Sequence, residues 1–316
     1  MTFKNIEAIF NSAKKNVSAR DISTFGVGGF LEHVLYISNA DKALSAIEIL
    51  NKTHTPYIVI SGGSNIVFPD GVLEKLVIVL RNDTITIKKN KITCDAGTPL
   101  EKLIETSIDL GYQGLESLSG IPGSVGGALV GNAGAYGSSI SNFVENIFIL
   151  NEGLPRMLLK EECSFTYRES VFKKRPFIIL SAVFVFEKKE DSKKLKEKSN
   201  EIIFLRSKKY KKGLRCPGSF FKNVLVEELE EYQLKKIDKS KIIEGKVPSG
   251  YLLERVGACG MRIGGIEVAS FHGNLLINKK NGTAHHVEKL SNLLKERVHA
   301  TFGIELQEEV RYIKAL

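Results

Sequence analysis

The sequence predicts an α+β protein of two or three domains, and three observations carry that expectation. The chain has 316 residues, more than one small core accommodates. Its apolar segments fall into short β-rich runs and longer stretches of helical period, without strict strand–helix alternation. Two glycine clusters, "SGGSN" (61–65) and "SGIPGSVGGALVGNAGAYG" (119–137), each follow an apolar segment.

"NADKALSAIEIL" sets Leu44, Ile47 and Leu50 on one helical face, opened by Asn39 or Asp41. "PYIVI" (56–60) predicts a short buried strand running directly into "SGGSN". "KLVIVL", "DTITI" and "KITCDAG" predict successive strands with Asn/Asp turns. In "TPLEKLIETSIDLG" (98–111), Thr98 and Glu101 form a capping-box pattern, with Pro99 at the first helical position. Leu100, Leu103, Ile104 and Ile108 make the buried stripe of that helix, and Gly111 closes it. "ENIFIL" and "FIILSAVFVFE" predict further strands. Near the end, "VPSGYLLERVG" and "HHVEKLSNLLKERVHATFG" predict helices, while "NLLIN" and "LQEEVRYI" predict strands.

The net charge of +9 is concentrated in residues 187–215, where twelve Lys/Arg stand against five Asp/Glu. Such a run serves as a solvated helix face and domain boundary, or as a basic rim that attracts phosphorylated small molecules. It lacks the regular aromatic interleaving that stacks bases, which argues against nucleic acid. The four cysteines, Cys94, Cys163, Cys216 and Cys259, lie at least 43 positions apart, so neither a metal site nor a disulfide framework is expected. The start, "MTFKNIEAIFNSAKKNV", has no apolar core of signal-peptide length, and no stretch suits a bilayer; a cytoplasmic monomer is expected.

The glycine clusters fit neither a GxGxxG nor a P-loop pattern, since "SGGSNIVF" leads into β-branched residues and GK[ST] is absent. Glycine nevertheless lets successive backbone N–H groups approach an anion and form a nest for a pyrophosphate. Residues 117–144 carry no charge, so any anion held there is held by amides, with Ser61, Ser64, Asn65, Ser124 and Asn132 as side-chain donors. Tight turns and close packing are the alternative use of these glycines, but two such clusters favour a phosphate-bearing cofactor.

Together the two clusters resemble the flavin-binding region of the UDP-N-acetylenolpyruvoylglucosamine reductase family. The resemblance continues in order through "FTYRES" (165–170), "GSFFKN" (218–223), "SGYLLERVGACGMRIGGIEVA" (249–269) and "LQEEVRYI" (306–313). It implies the FAD-binding two-domain cradle of the vanillyl-alcohol-oxidase type, with a C-terminal α+β substrate-binding domain. The implied domains are 1–80, completed by the tail 301–316, then 81–205 and 206–300. FAD would meet Ser61, Gly62, Gly63, Ser64 and Asn65, then Gly120, Ile121, Pro122, Gly123, Ser124, Val125, Gly126 and Gly127, then Asn132, Ala133 and Gly134. The first loop offers no tethering His or Cys, so FAD is expected to be non-covalent.

The activity implied is NADPH-dependent reduction of UDP-N-acetylglucosamine enolpyruvate. Reducing an enol ether conjugated to a carboxylate needs a hydride donor, a cation or acid at the carboxylate, and a proton source at the new carbanion. By resemblance Arg168 is the carboxylate-binding cation and Ser219 the proton donor. Glu309 stabilises the charged intermediate, one route being a carboxyl kept protonated in an apolar site; Glu308 is its competitor. Tyr167, Asn223, Lys246 and Arg311 fall on substrate-contacting positions, with His272 and Lys209 as further candidates. NADPH and the sugar nucleotide are expected to use one cleft in turn.

Departures are visible: Val224 replaces the usual Pro after "FKN", "LRCPGSFF" replaces Gln-Pro and Ala-Gly-Ser surroundings, and Ser61 replaces the first of three glycines. The 51 positions between Arg168 and Ser219 resemble the shorter, type II variant, which lacks an inserted tyrosine-bearing loop. Two other classes compete. One is a flavoenzyme of the same cradle that oxidises a sugar or alcohol. The other is an anion- or nucleic-acid-binding protein without catalysis, which would be colourless.

Overall fold

The computed structural model describes residues 13–211 and 213–315. Residues 1–12 of the opening stretch therefore lie outside the described residues, as does Lys212 of the basic run. The described chain divides into two compact units. The first comprises 13–17, Leu31–Gly63 and Glu74–Ser207; the second comprises Ser18–Phe30, Ser64–Leu73 and 208–315.

In the first unit, the run "LVIVL" forms strand β4 (Leu76–Leu80), buried at every position because it has neighbours on both sides. It pairs in parallel with β2 (Phe30–Ile37) and β3 (Tyr57–Ile60), in the order β1-β2-β4-β3, where β1 is Ala13–Ser18. β3 is half-buried along its length, a thinner cover than its apolar sequence suggests. Helix α1 (Ala40–Lys52) makes the crossover from β2. The side chain of Asn39 accepts hydrogen bonds from Asp41 N at 2.8 Å and Lys42 N at 3.3 Å, so Asn39, and not Asp41, is the cap.

A second sheet of this unit is antiparallel. It comprises β5 (Ile85–Lys88), β6 (Lys91–Asp95), β7 (Val144–Asn151), β8 (Leu154–Leu159) and β9 (Ile178–Val185), in the order β8-β7-β9-β6-β5. Helix α2 (Leu100–Asp109) turns its expected stripe into the core and ends at Gly111, whose φ is +70°. Its start differs from the capping-box expectation: Pro99 is the cap and Thr98 makes no capping bond. The reason is backbone pairing. Thr98 O accepts from Val125 N at 2.8 Å and Leu100 N donates to Gly123 O at 3.0 Å, so this stretch is committed to the glycine segment.

The basic run folds as helix α3 (Ser192–Lys209), and one side of it is packed, not solvated. Leu195, Ser199 and Ile202 are buried, and Ser199 Oγ lies 2.8 Å from Ser119 Oγ. Lys198 Nζ reaches the fully buried carboxylate of Glu116 at 2.6 Å. The charge run therefore hides an apolar seam that fixes the entry to the glycine segment.

The second unit is organised by helix α4 (Ala284–Phe302), whose Val287, Leu290, Leu294, Val298 and Phe302 are buried with Phe220, Phe221, Leu252 and Leu253. Around it lie the antiparallel strands Arg262–Ile263, Ile266–Val268 and Leu276–Asn278. Ile66–Val67 pairs in parallel with Arg311–Tyr312, so two distant segments share this unit. The expected strand "LQEEVRYI" shrinks to Arg311–Tyr312 plus a bridge between Glu308 and Phe221. Its preceding residues follow the 220–222 segment, with Lys222 N donating to Gln307 O at 2.8 Å. Among the described residues, no helix is long and apolar enough to cross a membrane.

Helix α4 begins with a reciprocal cap: Thr283 Oγ1 accepts from His286 N at 3.1 Å, and Thr283 N donates to His286 Nδ1 at 3.3 Å. Thr283→Ala is expected to lower stability by about 1 kcal/mol. The check is a lowered urea midpoint with an unchanged slope.

Candidate functional site

In the first unit the two glycine clusters meet backbone to backbone. A Cβ on Gly62 would stand 2.8 Å from Gly123 Cα and 3.1 Å from Ser124 N, closer than side chains tolerate. Gly63 (φ +61°), Gly120 (φ +74°) and Gly123 (φ +121°) hold the turns in the left-handed region. Ser61 Oγ anchors the first turn by donating to Leu80 O at 2.9 Å. Among the described residues, the N–H groups of Gly62, Gly63, Gly123 and Ser124 find no acceptor. Four amide donors thus gather where two turns touch, the arrangement an anion nest needs.

Other members of the segment are already engaged. Ile121 N donates to Leu118 O at 3.1 Å, Val125 N to Thr98 O and Gly126 N to Ala96 O at 2.8 Å, and Ala133 N to Ala128 O at 2.8 Å. Pro122 has no N–H. Gly127 N donates to the capping Ser124 Oγ at 3.3 Å. Asn132, at φ +41°, donates from Nδ2 to Thr166 O at 2.8 Å, which leaves its buried Oδ1 without a partner among the described residues.

Arg168 sits at φ +56° in a tight turn in which Thr166 and Glu169 exchange backbone bonds. Its guanidinium donates to Gly134 O at 2.7 Å and lies 5.4 Å over the Tyr167 ring. The arginine, Tyr167, Asn132 and Gly134 therefore form one cluster on the glycine segment. Lys173 Nζ donates to Arg168 O at 2.5 Å, supporting the turn from below.

The second unit gathers a different set: Ser64, Asn65, Ser219, Glu309 and Arg311. Glu309 N donates to Phe220 O at 2.8 Å, placing the glutamate on the stretch alongside Ser219. Asn65 Nδ2 donates to Glu309 O at 3.1 Å, and Arg311 N donates to Asn65 O at 3.1 Å. Asn65 Oδ1 is buried and has no hydrogen-bond partner among the described residues. Glu308 is committed elsewhere: it accepts from Ser291 Oγ and pairs with Lys295 Nζ at 2.8 Å. The packing thus separates the two adjacent carboxylates.

Asn223 Oδ1 caps the helix Ser249–Arg255 by accepting from Ser249 N at 3.2 Å. Lys246 pairs with Leu225 in the strand pair Val224–Leu225 and Lys246–Val247, and its Nζ donates to Glu244 O at 3.2 Å. Val224, where proline was the expected residue, is a strand residue packed in the core. His272 packs against Gly250, with Nδ1 3.6 Å from Glu254 Oε1. Burial, and after it the positive charge of Lys209, push the His272 imidazole below the usual histidine range, while Glu254 opposes them.

Three residues here carry no sequence signal of their own. Thr24 Oγ1 lies 3.1 Å from Ser64 O and 3.0 Å from Cys216 O, holding two turns at once. Buried Asn274 accepts from Phe221 N and donates to Phe221 O, both at 2.8 Å, while its main-chain O accepts from Phe220 N at 3.1 Å. Tyr210 Oη stands 3.0 Å from Ser219 Oγ. Tyr210 is masked in sequence by the lysines around it; Thr24 and Asn274 reveal themselves only through partners 40 to 192 positions away.

The family model described as "UDP-N-acetylenolpyruvoylglucosamine reductase, C-terminal domain" matches residues 208–313, and an "FAD binding domain" model matches 31–151. A UDP-N-acetylenolpyruvoylglucosamine reductase of Solibacter usitatus is 38% identical over 92% of this chain and 93% of its own. One from Aquifex aeolicus is 32% identical over 95% of both chains. The crystal structure of the Thermus caldophilus reductase superposes with a TM-score of 0.75 at 25% identity, covering 95% of this chain and 98% of that one.

The lowered basicity of His272 makes acid destabilising at this position. Below about pH 6.5 the unfolded chain takes up a proton at this position before the folded one does, so acidification removes stability. Urea midpoints compared at about pH 7.5 and pH 5.5 should fall more for the wild type than for His272→Gln.

Proposed function

This chain belongs to the UDP-N-acetylenolpyruvoylglucosamine reductase family, and on that premise we propose that Arg168, Ser219 and Glu309 carry its reaction. The enzyme is an FAD-dependent oxidoreductase of peptidoglycan precursor synthesis: it uses NADPH to reduce UDP-N-acetylglucosamine enolpyruvate to UDP-N-acetylmuramate. Its fold is the FAD-binding cradle with an α+β C-terminal domain. The relatives do not favour oxidation of a simple sugar or alcohol.

The residues present fit FAD. Four unengaged amides at Gly62, Gly63, Gly123 and Ser124 suit a diphosphate, and no lysine or arginine is needed beside them. Asn132 Oδ1 is a buried acceptor suited to a donor of the ligand. Val125 and Gly126, with their amides engaged, contribute a wall in place of donors. Ser61, Ser64, Asn65, Gly120, Ile121, Pro122, Gly127, Ala133 and Gly134 complete the set we assign to the cofactor. No His or Cys stands at 61–65, which supports non-covalent binding. Bound there, FAD would supply the hydride chemistry that links NADPH to the enol ether.

The chain's own side chains handle the charge that follows. Arg168, held by Gly134 O and its own strained turn, presents a fixed cation to the substrate carboxylate. Glu309 supports the developing negative charge, and Ser219 passes its hydroxyl proton to the carbanion carbon. The observation that carries this assignment is the bond from Glu309 N to Phe220 O, which ties the glutamate to the serine's segment while Glu308 is engaged by α4. Tyr167, Asn223, Lys246, Arg311 and His272 are assigned to the nucleotide sugar, with Lys209 near His272. The basic rim that α3 provides attracts both anionic substrates.

We read the functional division as 1–80 closed by 301–316, then 81–205, then 206–300. The pairing of Arg311–Tyr312 with Ile66–Val67 supports the return of the tail. We further read the chain as a cytoplasmic monomer that binds neither nucleic acid nor membrane. For Ser219→Ala, the expected result is normal reduction of bound flavin by NADPH and loss of its re-oxidation by substrate. Stopped-flow absorbance separates the two half-reactions; simultaneous loss of both would remove Ser219 from the proton-donor role.

A further inference from the structure

The serine assigned as proton donor poses a chemical problem. An alkanol is a very weak acid, and the alkoxide left after proton transfer must be neutralised within the site. The surroundings of Ser219 supply an answer. Its hydroxyl oxygen lies 3.0 Å from the phenolic oxygen of Tyr210, and either atom can be the donor. The Tyr210 ring packs with Leu214 and Cys216 against buried Ala269, Leu275 and Ile277, so its hydroxyl is held in place by apolar contacts.

The Ser219 segment is fixed from several sides. Gly218, at φ +87°, turns the chain just before it. Thr24 Oγ1 sits at Cys216 O, and Asn274 brackets the peptide groups that follow. A side chain placed this firmly beside a half-exposed phenol is arranged for directional proton transfer.

We propose that Tyr210 is the positioning residue for Ser219 and the source of its replacement proton. This rests on the reading of Ser219 as proton donor. In the productive orientation Tyr210 Oη–H donates to Ser219 Oγ, which leaves the serine hydrogen directed at the substrate carbon. The Ser219 O–H bond breaks as a C–H bond forms from the carbanion electron pair. The Tyr210 O–H bond breaks in turn as Ser219 O–H is restored. The negative charge comes to rest on the phenolate, a far more stable anion than an alkoxide, and a solvent proton neutralises it. No oxidant or reductant enters this step.

The test uses FAD-loaded enzyme, pre-reduced with NADPH and mixed with UDP-N-acetylglucosamine enolpyruvate in a stopped-flow instrument. Tyr210→Phe should slow flavin re-oxidation on the order of tenfold or more. It should leave flavin reduction by NADPH and substrate affinity unchanged, and it should enlarge the solvent isotope effect on re-oxidation. In a Ser219→Ala background the same substitution should have no further effect, because the tyrosine acts through the serine. Wild-type re-oxidation by Tyr210→Phe, an effect confined to affinity, or a full additional loss in the Ser219→Ala background would each overturn the proposal. Loss in Ser219→Ala with none in Tyr210→Phe removes the tyrosine alone. Wild-type re-oxidation by Ser219→Ala removes the serine reading on which the proposal stands.

Discussion

The contact between Gly62 and the Gly123–Ser124 peptide is the constraint on which the proposed flavin site depends. Backbone meets backbone at a spacing that one added methyl group would violate, since a Cβ on Gly62 would stand 2.8 Å from Gly123 Cα. That approach leaves four amide N–H groups unengaged and close together. An amide without an acceptor is costly at buried Gly63 and Ser124, so the cluster, open at exposed Gly62, makes physical sense as an anion nest. The surrounding elements hold it in register. Thr98 and Ala96 carbonyls take up the Val125 and Gly126 amides, and α3 clamps the entry through Ser199 and Lys198.

The side chains proposed to carry the reaction rest on equally specific supports. Arg168 occupies a left-handed turn that non-glycine residues seldom adopt, and the carbonyl of Gly134 helps keep its guanidinium there. Glu309 is tied by main-chain bonding to Phe220, the residue after Ser219, and Asn65 Nδ2 donates to Glu309 O. Within each unit these polar residues are positioned mainly by backbone carbonyls and amides, which do not fluctuate as long side chains do.

Much of this was legible in the sequence because the signals are local. Periodicity identified α4 and the buried stripe of α2, and the apolar run at 76–80 identified a strand. The glycine clusters announced a close backbone approach. What stayed hidden depends on distant partners. The Thr98 capping pattern is correct as a local pattern, yet pairing with Val125 overrides it. The basic run reads as solvent-facing by composition, yet Leu195, Ser199 and Ile202 are buried, and Ser199 meets Ser119, 80 positions earlier. Thr24, Asn274 and Tyr210 are ordinary polar residues until folding sets them beside Ser64, Phe221 and Ser219.

Residue-resolved amide hydrogen exchange on the FAD-loaded protein and its flavin-free form tests the account most directly. Flavin should slow exchange at Gly62, Gly63, Gly123 and Ser124, while Val125 and Gly126, already bonded to carbonyls, should differ little between the two forms. Equal exchange at those four amides in both forms, with new protection along the lysine-rich helix instead, would contradict it.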